Sequence, residues 1–172
     1  MSTMPLQKPG RSKQDYQTPR DFLDAVKNKF GVKAWAWDLA ADGSNRVTFE
    51  RNNYFGPDHP RFRDALVQDW TKLRGDLWLN PPYADIEPWA EKCAELDCDS
   101  FSVDSIGLPR RIFFLVPASV GSNWWADHVH GKARIVFPRP RLSFDGIAPY
   151  PKDLGLIVFG EKPGYETWRW RS

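Results

Sequence analysis

The chain has 172 residues, of which 41% are hydrophobic and 27% charged, and its formal net charge is +2. This length fits one domain with a hydrophobic core. No apolar run approaches the roughly 20 residues that cross a bilayer as a helix, so we expect a protein without a membrane segment.

Charge is distributed unevenly along the chain. Residues 1–34 and 105–172 are net basic, whereas residues 35–104 are net acidic. Such an arrangement is typical of a protein whose two basic ends contact a polyanion. The acidic middle would then bind a cationic or hydroxyl-rich small molecule. Charge blocks also occur on ordinary solvated faces, so both interpretations stay open.

The first 14 residues are polar, contain proline and lack an apolar signal core. They predict a flexible N-terminal tail on a cytoplasmic protein. The two cysteines, Cys93 and Cys98, form no metal-ligand spacing with the three histidines, so we expect reduced thiols and no metal site.

The first predicted element is a helix. Thr18 is a suitable N-cap, with Pro19 at the first helical position. Apolar residues then recur at helical spacing up to Phe30, and Gly31 is expected to end the helix.

Residues 35–39 predict a strand that leads into a turn of small residues. Asp38 is the acidic residue of this stretch, Ala40 and Ala41 are the small pair, and the turn runs through Asp42-Gly43 to Ser44. Small residues after a first strand let the backbone approach a ligand, although acid-plus-small turns are common. The turn is not GxGxxG, so no dinucleotide is inferred.

Residues 47–55 are expected to hold a second short strand. In folds of this kind an acidic residue after the second strand often binds ribose hydroxyls. Glu50 and Asp58 are both candidates, and the sequence does not choose between them.

The most informative stretch is residues 77–83. An apolar strand runs into Asn80, and two prolines then stop the ladder because neither has an N–H to donate. The Asn80 side-chain oxygen and the Pro81 carbonyl are two adjacent acceptors that can hold both hydrogens of an amino group. The Tyr83 ring offers a flat face on which the ring that carries this amino group can stack. Pro-Pro-Tyr also occurs in loops and as a ligand of proline-binding domains.

The rest of the chain alternates further helices and strands. A helix is expected near Pro88 and a short one after Gly121, with a loop over residues 97–110 between them. Strands are predicted at residues 111–117, 133–137 and 154–160. The tail around Trp168 to Arg171 is expected either to pack or to bind a strand of nucleic acid.

Two late segments offer contacts to nucleic acid. Trp124 and Trp125 begin the short helix, and because adjacent helical residues diverge, at least one of them is expected in the core. The loop at residues 138–153 carries Arg139 and Arg141, which suit phosphate or a base edge, or equally an ordinary solvated turn.

From Tyr16 to Gly160, the order of these segments resembles the phage-type DNA N-6-adenine-methyltransferase (Dam) family. Asn80-Pro81-Pro82-Tyr83 resembles the [DNS]PP[YFW] motif of amino-methyltransferases that use S-adenosylmethionine. The resemblance implies a single-domain Rossmann-like α/β methyltransferase fold, with a mostly parallel sheet, an antiparallel C-terminal end and helices on both faces. Residues 15–172 would form the catalytic domain, with no separate target-recognition domain.

The resemblance also implies an activity, transfer of a methyl group from S-adenosylmethionine to the N6 amine of a flipped adenine in DNA. No metal or membrane is needed, and a phage-borne protein would act in the cytoplasm of its bacterial host. The implied catalytic residues are Asn80, Pro81, Pro82 and Tyr83. The implied cofactor-binding residues are Tyr16, Gln17, Thr18, Pro19, Asp38, Ala40, Ala41, Asp64 and Asn80. The implied nucleic-acid-binding residues are Trp124, Arg134, Arg139 and Arg141.

The chain departs from the family pattern at two places, and two alternatives to this activity stay open. Tyr16 stands where the family more often has tryptophan, and the first turn lacks the glycine-rich form. One alternative is an amino-methyltransferase that acts on cytosine N4, RNA or protein glutamine. The other is a non-catalytic nucleic-acid-binding module with a vestigial cofactor pocket.

Overall fold

A computed structural model describes residues 17–42, 45–97, 110–144, 146 and 148–171. The predicted tail, residues 1–14, lies outside these ranges, as does most of the predicted loop at residues 97–110. The helices are α1 (Arg20–Phe30), α2 (Glu87–Asp97) and α3 (Asn123–His128), with a short 3-10 helix at Trp70–Lys72. The strands are β1 (Trp35–Asp38), β2 (Asp76–Leu79), β3 (Arg111–Pro117), β4 (Arg134–Arg139), β5 (Leu154–Phe159) and β6 (Gly164–Arg169).

The six strands form one mixed sheet in the order β1-β2-β3-β5-β4-β6. β1, β2 and β3 pair in parallel, β5 pairs antiparallel with both β3 and β4, and β6 pairs in parallel with β4. The antiparallel pairing of β4 with β5 agrees with the antiparallel C-terminal end that was expected, and the antiparallel strand β5 lies inside the sheet. Every residue of β5 is buried, as suits an interior strand, while β6 alternates between half-buried and exposed residues, as suits an edge.

Helices cover both faces of the sheet. On one face, Phe22 and Val26 of α1 pack with Phe113 and Leu115 of β3. On the other face, α2 and α3 pack over a cluster that includes Ile112, Phe114 and Val116 of the same strand. The alternation along β3 follows the period of two that places successive side chains on opposite faces.

The start of α1 differs from the prediction by one residue and by its capping. The helix begins at Arg20, with Pro19 as N-cap and no side-chain cap. The Thr18 hydroxyl instead accepts a hydrogen bond from the Asn80 amide, so a tertiary contact replaces the local cap. The predicted end is confirmed, because Gly31 takes the left-handed conformation with φ of 66°.

Two other predicted segments differ in the structure. Within the described ranges residues 47–55 form no strand, and Tyr54 makes an isolated bridge to Asp38. The segment after β5, expected as a tail, forms β6 instead. Its tryptophans Trp168 and Trp170 pack on Phe22 of α1, with ring centroids 5.9 and 5.2 Å apart.

The topology brings several strand ends to one edge. β1, β2, β3, β4 and β6 run in one direction, so their carboxyl ends meet at one edge, where antiparallel β5 begins. Ligands of open α/β sheets bind at this edge. Among the helices that the structure describes, none is long and apolar enough to span a membrane.

Candidate active site

Asn80 follows β2 at the carboxyl edge, and its side chain is held at both ends. Its amide nitrogen donates to the Thr18 hydroxyl at 3.2 Å, and its oxygen accepts from the Tyr83 hydroxyl at 2.8 Å. The three residues before it, Leu77 to Leu79 of β2, are buried, and so is Pro81. The stiff backbone and the two hydrogen bonds fix where the Asn80 oxygen lies.

Aromatic side chains from a distant loop meet the Asn-Pro-Pro-Tyr segment. The Tyr150 ring lies 5.9 Å from the Tyr83 ring in an edge-to-face arrangement, and Phe144 lies 5.5 Å from Tyr150. These contacts place the loop between β4 and β5 against Tyr83.

Asp38 is a buried carboxylate at the end of β1, with only 5% of its surface exposed. One carboxylate oxygen accepts from the Ala40 N–H at 3.1 Å. Burial raises the pKa of Asp38 from 3.8 to about 7, the Ala40 hydrogen bond lowers it in part, and the nearby Asp42 charge raises it further. A site that holds a cation beside Asp38 would favour the ionised form.

A first pocket of about 270 Å³ opens beside Asp38. Residues from α1, from the turn after β1 and from the end of β2 line it, together with Phe144. The predicted cofactor residues among them are Gln17, Thr18, Pro19, Asp38, Ala40, Ala41 and Asn80. Gln17 donates a hydrogen bond to Asp42, which closes the pocket between the start of α1 and the turn.

A second pocket of about 360 Å³ adjoins the first. The two share four lining residues, namely Ala40, Ala41, Asp42 and Asn80. The predicted residues Asp64 and Pro82 line only the second pocket, as do Gly56 and Trp89.

The wall of the second pocket depends on close backbone packing. A Cβ on Gly56 would lie 2.4 Å from the Ala41 carbonyl oxygen, so only glycine fits there. The loop that follows folds around the buried His59, whose Nδ1 accepts from the Arg61 and Phe62 N–H groups at 3.0 and 2.9 Å. These contacts hold the loop against the turn after β1.

The structure does not bring every predicted cofactor residue to these pockets. Neither candidate for the ribose acid, Glu50 or Asp58, lines either pocket. Tyr16 lies outside the described residues. The sequence predicted Asp42 only as part of a turn, whereas in the structure it lines both pockets. Its position directly after the Ala40-Ala41 pair was the signal that could have identified it as a pocket residue.

The four predicted nucleic-acid residues separate into two groups. Trp124 is half-buried beside Trp125, which is in the core, while Arg139 is exposed at the carboxyl end of β4. Arg141 is also at this edge, paired with Asp153 at 2.8 Å.

Arg134 belongs to the second group, because it begins β4 at the opposite edge. Its guanidinium donates to Glu161 and Glu166 at 2.9 and 2.8 Å. These hydrogen bonds hold the pKa of Arg134 above its usual value. The structure therefore assigns this side chain an ion-pair network remote from Asn80.

Comparisons with known proteins add one finding. No curated protein and no solved structure matches the chain. In the described ranges, no group of three or more histidine, cysteine or acidic side chains is arranged to hold a metal ion. The family described as DNA N-6-adenine-methyltransferase (Dam) matches residues 7–155, which include all the residues around both pockets. The chain belongs to the DNA N-6-adenine-methyltransferase (Dam) family.

Proposed function

We propose that this protein transfers a methyl group from S-adenosylmethionine to the N6 amine of an adenine in DNA. One observation carries the proposal beyond family membership: Asn80 lines both pockets, and its side chain is fixed by Thr18 on one side and Tyr83 on the other. A group in this position can orient an amine beside a cofactor.

The residues of the pockets fit S-adenosylmethionine, which supplies a methyl group on a sulfonium cation. Asp38 and Asp42 give the first pocket two acidic groups that suit a sulfonium or ammonium charge. Asp64 lines the second pocket and can accept from an adenine amine or a ribose hydroxyl. The close contact of Gly56 with the Ala41 carbonyl holds one side of the second pocket against the turn after β1.

The Asn-Pro-Pro-Tyr segment would hold the amine. The Asn80 oxygen has two lone pairs, so it can accept from the amine while still accepting from the Tyr83 hydroxyl. The Pro81 carbonyl is the second acceptor. Together they aim the nitrogen lone pair and stabilise the positive charge that develops on the amine during transfer.

Tyr83 would also support the ring of the target base. Removing an adenine from the stack costs a few kcal/mol, and stacking on an aromatic side chain returns roughly 1–3 kcal/mol. We also propose that residues 15–172 form one catalytic domain, in which loops such as 138–153 select the target. Contact between Tyr150 of that loop and Tyr83 supports this role.

The test is incubation of the protein with methyl-labelled S-adenosylmethionine and unmethylated DNA, followed by nucleoside analysis. The proposal expects label in N6-methyladenine. If the label appears in N4-methylcytosine instead, or in RNA or protein glutamine when those are supplied, the substrate is that group and not adenine in DNA. A folded protein that gives no heat when titrated with S-adenosylmethionine would instead be a binding module.

A further inference from the structure

The last strand of the sheet lies beyond the family match. The match ends at residue 155, and β6 spans Gly164–Arg169. β6 pairs in parallel with β4, and the last register pair joins Arg139 to Arg169. The strand therefore lies outside the matched residues, and it places a second arginine directly beside a predicted nucleic-acid residue.

The two faces of β6 have different surroundings. Trp168 packs beside Phe22 of α1, whereas Arg169 follows it on the opposite face and is exposed. Arg139 is exposed as well. Among the residues that the structure describes, no carboxylate lies within ion-pair distance of either guanidinium. Like charges placed directly opposite on neighbouring strands are destabilising, so this pair favours an anion that bridges it.

The pair lies at the carboxyl edge that also carries Asn80. Neighbouring strands are about 4.8 Å apart, so β4 and β6 lie roughly 14 and 19 Å from β2 along the sheet. At about 3.4 Å per nucleotide, this distance corresponds to some four to six base pairs of duplex. A DNA molecule that lies along this edge with its target adenine at Asn80 would pass this pair.

We propose that Arg139 and Arg169 together bind the phosphodiester backbone of the DNA that flanks the target adenine. The proposal rests on the proposed function and names a binding site for its substrate. Guanidinium groups bind phosphate oxygens through paired hydrogen bonds, which makes two adjacent arginines a suitable phosphate site. Arg141, in contrast, is already paired with Asp153.

The test compares two double variants. Arg139→Gln/Arg169→Gln removes the pair, and Lys33→Gln/Lys162→Gln removes the same charge from two exposed lysines at the opposite edge. Binding of a fluorescent unmethylated duplex of about 30 base pairs is measured between about 0.05 and 0.2 M salt. S-adenosylmethionine binding and sedimentation are measured for both variants.

The proposal expects the arginine variant to bind DNA at least about 10-fold more weakly at about 0.1 M salt, with a salt slope shallower by about 2. Cofactor binding and sedimentation should stay as in the unchanged protein. An arginine variant that binds DNA like the lysine control overturns the proposal. A changed sedimentation with unchanged DNA binding also overturns it and assigns β6 to contact with a second copy.

Methyl transfer to adenine by the unchanged protein, measured beside these binding experiments, separates this proposal from the proposed function. If the unchanged protein methylates adenine but substitution of the arginine pair leaves DNA binding unchanged, only the proposed phosphate site is wrong. If the unchanged protein transfers no methyl group yet needs the pair to bind DNA, the enzymatic function fails and the DNA site stands.

Discussion

At the scale of single residues, the account depends on how Asn80 is held. The Tyr83 hydroxyl and the Thr18 hydroxyl fix its two ends, from positions 3 and 62 residues away in the sequence. The motif itself was readable from the sequence because two prolines after a strand leave few conformations. The contact between Thr18 and Asn80 was not readable from the sequence, because a threonine before a helix predicts a local cap.

Tyr83→Phe tests whether the hydroxyl orients Asn80. The variant keeps the ring and removes one hydrogen bond, whose net value is about 1 kcal/mol. We expect kcat to fall roughly 5- to 10-fold with little change in cofactor affinity. Tyr83→Ala, which also loses the stacking surface, should lose more, and equal kcat values for the two variants would contradict the role of the ring.

Asp38 predicts a pH dependence of stability. Its folded pKa of about 7 lies above the ordinary value of 3.8, so the fold favours the protonated form. Its contribution is therefore fully present below about pH 4 and is lost as pH rises to about 7, by an amount on the order of 4 kcal/mol.

Urea unfolding between about pH 5 and pH 8 measures this effect, with Asp38→Asn as the control. The unchanged protein should lose stability with rising pH across this range, and Asp38→Asn should lose much less. A cationic ligand in the first pocket favours the ionised form, so S-adenosylmethionine should bind more tightly at about pH 8 than at about pH 6. Identical pH profiles for the two proteins would show that Asp38 is not buried as described.

At the scale of elements, an ion-pair network ties the strands together at the edge opposite the site. Arg111 of β3 pairs with Asp76 of β2 at 2.7 Å and with Glu161 at 2.9 Å, and it donates to the Phe30 carbonyl of α1. Only 13% of the Arg111 side chain is exposed. Contacts of this kind link segments far apart in sequence, so composition alone could not predict them.

Arg111→Met should lower the free energy of unfolding by about 3 kcal/mol, because it removes the ion pair of the half-buried Asp76 carboxylate and leaves Glu161 with Arg134 alone. Arg141→Met removes an ion pair between exposed side chains and should cost less than about 1 kcal/mol. Denaturant unfolding measures both. Since Arg111 lies away from Asn80, the folded fraction should keep its transfer rate, and equal stability losses would contradict the network.

The elements also show where sequence patterns succeed and fail. The run from Arg111 to Pro117 was predicted as a buried strand, and its fully apolar interior made the pattern unambiguous. β6 was missed because only alternate residues are covered, and its aromatic and charged side chains suit a tail equally well. Residues 47–55 have strand-forming composition, but they lie against the end of β1 with a single bridge.

At the scale of the whole molecule, the C-terminal strand joins α1 to the sheet. Trp170 is buried, its ring meets Phe22 edge-to-face at 5.2 Å, and its Nε1 donates to the Pro140 carbonyl at 2.7 Å. Because α1 follows Thr18 directly, this packing also supports the position of the site.

Trp170→Ala should destabilise the protein by about 3–5 kcal/mol, because it opens a cavity between α1 and β6. Trp170→Phe keeps most of the packing and loses the Pro140 hydrogen bond, for a cost nearer 1–2 kcal/mol. Thermal unfolding distinguishes them. Wild-type stability in Trp170→Ala would show that the packing of Trp170 on α1 does not stabilise the fold.

The molecule as a whole was only partly predictable. An α/β sheet with candidate site residues at its carboxyl edge follows from the order of apolar runs and the motifs that end them. The position of β5 between β3 and β4 and the sharing of Asn80 by two pockets depend on long-range pairing. Local patterns do not specify such pairing.

The most direct test of the central claim is the single-turnover rate of methyl transfer to adenine by Asn80→Ala, measured together with its affinity for S-adenosylmethionine. We expect N6-methyladenine formation to fall by at least about 100-fold, because the amine loses the side-chain acceptor that orients it and stabilises its developing charge. Cofactor affinity should change by less than about 5-fold, since other residues line most of both pockets. A variant that binds the cofactor and methylates adenine at a near-normal rate would contradict the assignment of Asn80 and, with it, the proposed site.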